Sequence, residues 1–69
     1  MREFNRKKIG ERLRNLRNDR SQAEVADALG VTTMAISQYE RGERVPNDAM
    51  KIKIAEYFKK GIEDIFFTP

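Results

Sequence analysis

Apolar positions recur at three- and four-residue spacing in five short stretches, and each stretch has its own start or stop signals. The first predicted helix covers residues 5–18, with Asn5 as N-cap and Phe4 and Ile9 as a hydrophobic staple. Gly10 lies inside this helix, where it costs about 1 kcal/mol relative to Ala, so it marks either a close helix contact or weak packing. The inward positions are Ile9, Leu13 and Leu16.

The second and third predicted helices are joined by a very short turn. Ser21 and Glu24 form a capping box at the start of the second helix, and Gly30 suits the left-handed residue that ends it. The apolar pattern resumes almost at once, with Thr32 as the N-cap of a third helix that Gly42 ends. The inward positions are Val25, Ala26, Leu29, Ile36, Tyr39 and Glu40. A connection this short predicts a fixed helix-helix corner.

Two further helices complete the pattern. A helix over residues 48–58 has Asn47 as its N-cap, and Gly61 opens a short fifth helix. Lys51 falls within the apolar arc of the fourth helix, so it must reach solvent, pair with another group or lie at an interface. Phe67 has no inward position. The inward positions are Met50, Ile54, Ala55, Phe58, Ile62, Ile65 and Phe66.

Composition narrows the classes of protein that fit this pattern. A chain of 69 residues is near the lower limit for independent folding, so we expect one domain over residues 1–69. The absence of Cys and His removes disulfides, thiolate and histidine catalysis and the usual zinc ligands, so we expect no enzyme, metal or cofactor. Without a signal-peptide pattern or an apolar run of about 18 residues, we expect a cytoplasmic protein with no membrane partner.

Positive charge is concentrated at the N-terminal end. The first 20 residues carry eight basic and three acidic side chains, a net charge of +5, whereas the remainder carries −2. Such an end suits nucleic acid or an anionic membrane surface. A solvated helix face is an equally good explanation of the charge alone.

The ordered spacing of these positions resembles the helix-turn-helix of the Cro and phage-repressor type, also called the xenobiotic-response-element type. The resemblance covers roughly residues 9–67, with the helix-turn-helix proper at residues 22–41. It is carried by Ser21-Gln22, Val25-Ala26, Leu29-Gly30-Val31, Ile36-Ser37, Tyr39-Glu40, Gly42, Pro46, Ile54-Ala55 and Ile65-Phe66. It implies an all-α, lambda-repressor-like domain of five helices whose third helix lies in the DNA major groove. It also implies sequence-specific transcription regulation, with a repressor as the expected form.

The chain departs from the family pattern at its connections. Residues 17–20 form a shorter first connection that lacks the usual Gly and large apolar residue. Lys59-Lys60-Gly61 replaces the common Gly-Val-Ser, so the fourth helix lacks its usual Gly stop. Asp48 and Lys51 occupy positions that are commonly leucine. None of these departures falls on the outward face of the third helix.

The resemblance also implies which side chains contact bases. Thr33, Met34 and Gln38 match base-contacting positions, and Ser37 matches one that serves either base or backbone. Gln can bind adenine N6 and N7, and Thr and Met can present methyl groups to thymine, so we expect A·T bias near the centre of each half-site. The alternative for Met34 is a core residue turned inward.

A second implied set holds phosphates. Gln22 begins the second helix, where the positive end of the helix dipole favours an anion, although it can also be an ordinary first-turn polar residue. Arg17 and Glu40 match an inward salt bridge between the first and third helices and are expected to be architectural. The implied phosphate contacts are Gln22, Thr32, Arg41, Gly42, Arg44 and Arg14, with Arg6 as a further helper.

A single small domain reads few bases, so the expected partner is a near-palindromic double-stranded operator bound by a homodimer. The candidate dimer contacts are Val45, Ile62 and Phe67, with Lys51 beside them. The alternative is a monomer with a frayed hydrophobic tail.

Two other functions stay open on these residues. One is an antitoxin-like autoregulator that also binds a partner protein, and the other is a protein-interaction module.

Overall fold

The computed structural model describes residues 5–67, and this part of the chain folds into five helices without a strand. The helices are α1 (Arg6–Arg17), α2 (Gln22–Leu29), α3 (Thr33–Glu40), α4 (Asp48–Phe58) and α5 (Ile62–Phe66). The predicted all-α architecture of five helices is therefore confirmed. None of the helices in residues 5–67 is long and apolar enough to cross a membrane.

Four of these helices begin at a side-chain cap that the sequence predicts. The side-chain oxygen of each N-cap accepts a hydrogen bond from the backbone N–H three residues later, at 2.8–3.0 Å. Each cap of this kind is worth about 1 kcal/mol. The caps are Asn5, Ser21, Thr32 and Asn47. Phe4, the predicted staple partner of Ile9, lies outside the described residues.

The core lies where α3 packs between α1 and α2, with α4 against α2 and α5, and with α5 returning to α1. Two cations tie helices to each other's carbonyls: Arg12 donates to the Ile65 oxygen at 2.9 Å and Lys53 to the Leu29 oxygen at 3.1 Å. Every predicted inward position is buried or half-buried. Ala35, at 7% exposure, is a core position that the sequence analysis did not assign. The buried apolar residues are Ile9, Leu13, Val25, Ala26, Leu29, Ala35, Ile36, Tyr39, Ile54, Ala55, Ile65 and Phe66.

Gly10 marks a close crossing of α1 and α3. A Cβ at this position would lie 2.3 Å from the Glu40 carbonyl oxygen and 2.8 Å from that of Tyr39. Both neighbours are backbone atoms, which no side-chain rotation can move away. Of the two explanations for Gly10, close contact is therefore correct.

The short connection between α1 and α2 is closed by arginine instead of by glycine and an apolar residue. Asn18 takes a positive φ of 54°, which Asn tolerates better than most side chains. Arg17 Nη1 donates to the Arg20 carbonyl oxygen at 2.9 Å. The Arg20 guanidinium in turn lies 5.4 Å from the ring centroid of Tyr57 and 5.7 Å from that of Phe58. Cation–π contact thus takes the place of the missing apolar anchor.

The two departures on α4 also have local explanations. Lys59 adopts the left-handed conformation at the end of α4, with φ 58° and ψ 46°, so a lysine occupies the position that glycine usually takes. Lys51 is buried, at 6% exposure, with its Nζ 3.7 Å from Asp48 Oδ1. The same Nζ lies 5.9 Å from the Phe66 ring centroid and 5.2 Å from that of Phe67. Of the three alternatives predicted for Lys51, the structure shows pairing, with Asp48 as the partner.

Candidate nucleic-acid interface

The corner between α2 and α3 is built from local backbone bonds. Gly30 ends α2 in the left-handed conformation, with φ 74°, and its N–H donates to the Asp27 oxygen at 3.2 Å. The Val31 N–H donates to the Ala26 oxygen at 2.9 Å, which completes the turn. Thr32 then caps α3. Because each residue of this turn is committed to a bond, α3 is held at one angle to α2.

One side of α3 is buried and the other faces solvent. Thr33 and Met34 are exposed in the first turn, and Ser37 and Gln38 are half-buried in the next. Met34 is 67% exposed, so the alternative, a core residue turned inward, is wrong. The four predicted base-contacting side chains therefore share an accessible face that is free of carboxylates. The opposite side carries Ala35, Ile36, Tyr39 and Glu40, all buried.

Glu40 anchors three helices at the end of α3. Its carboxylate accepts from Arg17 Nε at 2.6 Å and from Arg17 Nη2 at 2.9 Å. It also accepts from Gln22 Nε2 at 3.0 Å. The Glu40 side chain is 2% exposed and that of Arg17 is 19% exposed, so the predicted inward salt bridge is present. The bond from Gln22 was not predicted, because Gln22 was assigned to a phosphate contact and no sequence signal links it to Glu40.

The charge state of Glu40 follows from its partners. Burial alone would raise the pKa of the Glu40 carboxyl, but hydrogen bonds from Arg17 and Gln22, with the charges of Arg17 and Arg14, outweigh it and lower that pKa. The same hydrogen bond raises the pKa of Arg17. Glu40 is therefore ionised at neutral pH and holds Gln22 at the start of α2. A phosphate would have to bind Gln22 in that position or draw its amide away from Glu40.

Arg41, the residue that follows α3, is also engaged. Its Nε and Nη2 donate to the two carboxylate oxygens of Glu43, both at 3.0 Å, and its Nη1 donates to Ser37 Oγ at 2.8 Å. The hydrogen bond and charge of Glu43 raise the pKa of Arg41. Glu43 was not predicted to take part, although an acidic residue two positions after an arginine, with a glycine between them, is a signal for this pair.

The loop after α3 is held by backbone bonds. Gly42 takes a φ of 75°, its N–H donates to the Tyr39 oxygen at 3.2 Å, and the Glu43 N–H donates to the Gln38 oxygen at 2.9 Å. The Gly42 N–H can therefore contact a phosphate only by sharing its bond to Tyr39. Arg44 Nη1 lies 3.4 Å from Gln38 Oε1, which leaves the Gln38 amide N–H groups pointing away from Arg44. The Arg44 guanidinium lies 5.8 Å from the Tyr39 ring centroid.

The remaining predicted phosphate contacts lie around this assembly. Thr32 Oγ1 accepts from the Ala35 N–H at 3.0 Å, so its hydroxyl proton is available to donate outward. Arg14 is exposed and lines an open cleft between α1 and the loop after α3. The other residues that line this cleft are Lys7, Glu11, Glu40, Arg41 and Glu43.

The predicted dimer contacts differ in exposure. Phe67 is 52% exposed, whereas Val45 and Ile62 are half-buried, and Ile62 packs against the core. Ile52 on α4 is 51% exposed and was not predicted. In the described part of the chain, no group of three or more Asp or Glu side chains is arranged to hold a metal ion.

Comparison with known proteins agrees with this architecture. A family model described as helix-turn-helix matches residues 11–65. The cryptic phage CTXphi transcriptional repressor RstR of Vibrio cholerae serotype O1 is 35% identical over 60 residues, which cover 84% of this chain and 54% of the relative. The uncharacterized helix-turn-helix-type transcriptional regulator YgzD of Bacillus subtilis strain 168 is 32% identical over 47 residues, covering 68% of this chain and 71% of that protein.

The chain spans about half the length of the Vibrio relative, so the similarity concerns the helical domain described above. The matched residues run from within α1 to within α5 and include the whole α2–turn–α3 corner. The chain therefore belongs to the helix-turn-helix family of the Cro and phage-repressor type.

Proposed function

We propose that the protein binds double-stranded DNA sequence-specifically and regulates transcription as a repressor. The observation that carries the proposal is the face of α3, where four polar or methyl-bearing side chains lie accessible on a helix whose other side is buried. In this proposal α3 enters the major groove, and its first two turns face base edges. The four side chains are Thr33, Met34, Ser37 and Gln38.

Base readout in this proposal depends on donors and methyl groups. Gln38 offers its amide N–H groups, and its carboxamide can bind adenine N6 and N7 together. Ser37 Oγ accepts a hydrogen bond from Arg41. The Ser37 hydroxyl proton is therefore left to donate towards a base. Met34, at 67% exposure, offers an apolar surface to a thymine methyl. The proposed half-site is therefore biased towards A·T at its centre.

Phosphate contacts surround this face. Gln22 and Thr32 lie at the N-termini of α2 and α3, where orphan N–H groups and the helix dipole favour anions. Arg41 and Arg44 lie at the opposite end of α3, and Arg14 lies on the α1 side of the cleft. These contacts position the protein without carrying sequence information.

Two finer parts of the proposal concern the form of regulation. A domain of this size covers few base pairs, which favours two copies on a near-palindromic operator. The naming of the Vibrio cholerae relative as a transcriptional repressor supports repression over activation. Occlusion of a promoter is the mechanism that the DNA-binding domain can perform by itself.

Selection of bound sites from a random duplex library tests the function and the half-site together. The expected result is a near-palindromic consensus with A·T pairs at the contacts of Gln38 and Met34. A consensus with guanine at every contacted position would contradict the A·T assignment. Failure to bind any duplex in a salt-dependent way would instead favour a protein-interaction module.

A further inference from the structure

We propose that Glu43 is an intramolecular competitor of DNA phosphate for Arg41, and that it lowers the affinity and the salt dependence of DNA binding. This inference rests on the proposed function. It assigns Glu43 a role in setting affinity, whereas base selection stays with the face of α3.

The geometry of the pair is that of a carboxylate occupying a phosphate site. Arg41 presents two parallel N–H donors to Glu43, each bond being 3.0 Å long. This is the bidentate arrangement in which guanidinium groups bind phosphate. The third nitrogen, Nη1, donates to Ser37 at 2.8 Å, so all three nitrogens of Arg41 are engaged. A phosphate can take the bidentate position only if Glu43 leaves it.

The backbone places Glu43 beside Arg41 independently of the side-chain bond. The Glu43 N–H is bound to the Gln38 oxygen at 2.9 Å, and Gly42 supplies the left-handed turn between the two charged residues. A Cβ at position 42 would also lie 3.2 Å from backbone atoms of Arg6 and Lys7, so the backbone of α1 packs closely against this turn. The carboxylate is therefore held in reach of Arg41 when a phosphate approaches.

The Arg41–Glu43 ion pair is exposed, so a phosphate can displace Glu43 from Arg41. The Arg41 and Glu43 side chains are 52% and 54% exposed, so solvent weakens their attraction and the pair can open. Glu40 lines the same cleft, but Arg17 neutralises it. Glu43 thus places a negative charge where the proposed complex brings a phosphate, and part of the binding free energy is lost in separating it from Arg41.

The experiment measures binding to a labelled random-sequence duplex of about three helical turns by fluorescence anisotropy over a series of salt concentrations. We expect Glu43→Gln to raise affinity about two- to five-fold at low salt, which is the range for opening an exposed ion pair. We also expect the log–log salt slope to steepen, by at most about 0.9, because Arg41 then holds its phosphate in every complex instead of sharing its time between phosphate and Glu43.

Two matched variants separate competition at Arg41 from a general gain in positive charge. Glu11→Gln makes the same charge change on the same cleft, and we expect it to alter affinity less than Glu43→Gln does. Glu43→Gln in an Arg41→Ala background should give no more gain than Glu11→Gln. Equal gains from both carboxylates, or an undiminished gain without Arg41, would overturn the inference.

The wild-type titration keeps the two proposals apart. If the wild-type protein binds the duplex and Glu43→Gln binds equally well or more weakly, the role of Glu43 is wrong and the proposed DNA binding stands. If the wild-type protein shows no salt-dependent binding, the proposed function fails and the competition with DNA fails with it. Thermal unfolding of each variant, followed by circular dichroism, is expected to match that of the wild type, because the substituted side chains are exposed.

Discussion

Single side chains at the end of α3 connect the architecture of the domain to its proposed DNA contacts. Gln22 is bound to Glu40 and Gln38 lies beside Arg44, so two of the proposed contacts are already oriented without DNA. Orientation of this kind reduces the side-chain entropy that binding has to remove.

Gln38 and Arg44 should respond differently to truncation. We expect Gln38→Ala to cost about 1–3 kcal/mol of discrimination at one base pair, because a bidentate base contact is lost. Arg44→Ala should reduce the salt slope by about 0.9 and weaken all sequences, with only a small loss of discrimination from losing the Arg44–Gln38 bond. Titration of the selected site and of single-base variants measures both effects. Loss of specificity in Arg44→Ala with an unchanged salt slope would contradict its assignment to phosphate.

Replacing Arg17 and replacing Glu40 should lower the free energy of unfolding by different amounts. Arg17→Ala leaves a carboxylate that is 2% exposed with only Gln22 as its described partner, so we expect a loss of roughly 3–5 kcal/mol. Glu40→Ala leaves Arg17, which is 19% exposed and can turn towards water, so the expected loss is smaller, about 1–3 kcal/mol. Urea unfolding of both variants at neutral pH tests the order. An unchanged urea midpoint in Glu40→Ala would show that the Arg17–Glu40 pair does not stabilise the fold.

The lowered pKa of Glu40 makes part of the stability depend on pH. Since the folded protein holds this carboxyl below its ordinary value of 4.5, the unfolded chain binds the proton more readily. The contribution is therefore complete above that value and is lost as pH falls through the pKa of the folded state. Relative to Glu40→Gln, the wild type should lose stability over this acid range. A constant difference in urea midpoint between the two proteins would show that the carboxyl is not shifted.

At the scale of helices, the close crossing of α1 and α3 fixes where α3 lies against the rest of the domain. Gly10 allows the two backbones to meet near Glu40 and Tyr39, and it also brings Arg17 within reach of Glu40. A helix propensity argument alone would treat Gly10 as a defect. Its packing shows the opposite, because the space for a methyl group is already filled.

Gly10→Ala should therefore destabilise the protein although alanine favours helices. The added methyl would lie 2.3 Å from a backbone oxygen, and we expect a loss of about 3 kcal/mol, the upper end of the usual overpacking cost. Asn15→Ala is the matched control, since Asn15 is exposed on the same helix and its replacement should be neutral or slightly stabilising. Urea unfolding compares the two. Equal stability of Gly10→Ala and the wild type would mean that α1 can move away from α3 without cost.

At the scale of the whole molecule, the proposed homodimer needs a surface that the core leaves uncovered. Phe67 is 52% exposed after α5, and the buried Lys51 lies 5.2 Å from its ring centroid. The exposed Phe67 ring therefore offers apolar surface next to α5, the last of the described helices. We assign the dimer contact to this end.

Phe67→Ser should weaken self-association. Sedimentation of the wild type over a concentration series is expected to show increasing mass, and the variant should require a higher protein concentration for the same mass. Met34→Ser removes another large exposed apolar side chain, at 67% exposure on α3, and should leave association unchanged. A wild type that stays monomeric at all concentrations would contradict dimerisation without DNA.

Much of the fold was predictable because its signals are local. Asn5, Ser21, Thr32 and Asn47 cap helices through bonds to residues three positions away, so neighbouring residues determine where each helix begins. The 3.6-residue period likewise separates the buried side of α3 from the face that carries Met34. These features need no knowledge of the distant chain.

The sequence by itself therefore determined five helices, their order and the accessible face of α3, since each depends on residues within one or two helical turns. Tertiary structure decided that Gly10 is a helix contact and that Gln22 is bound to Glu40, because these contacts join residues far apart in the chain. It also decided that Arg41 pairs with Glu43, because that bond depends on the left-handed turn at Gly42 and on the rotamers of two exposed side chains, which residue order alone does not fix.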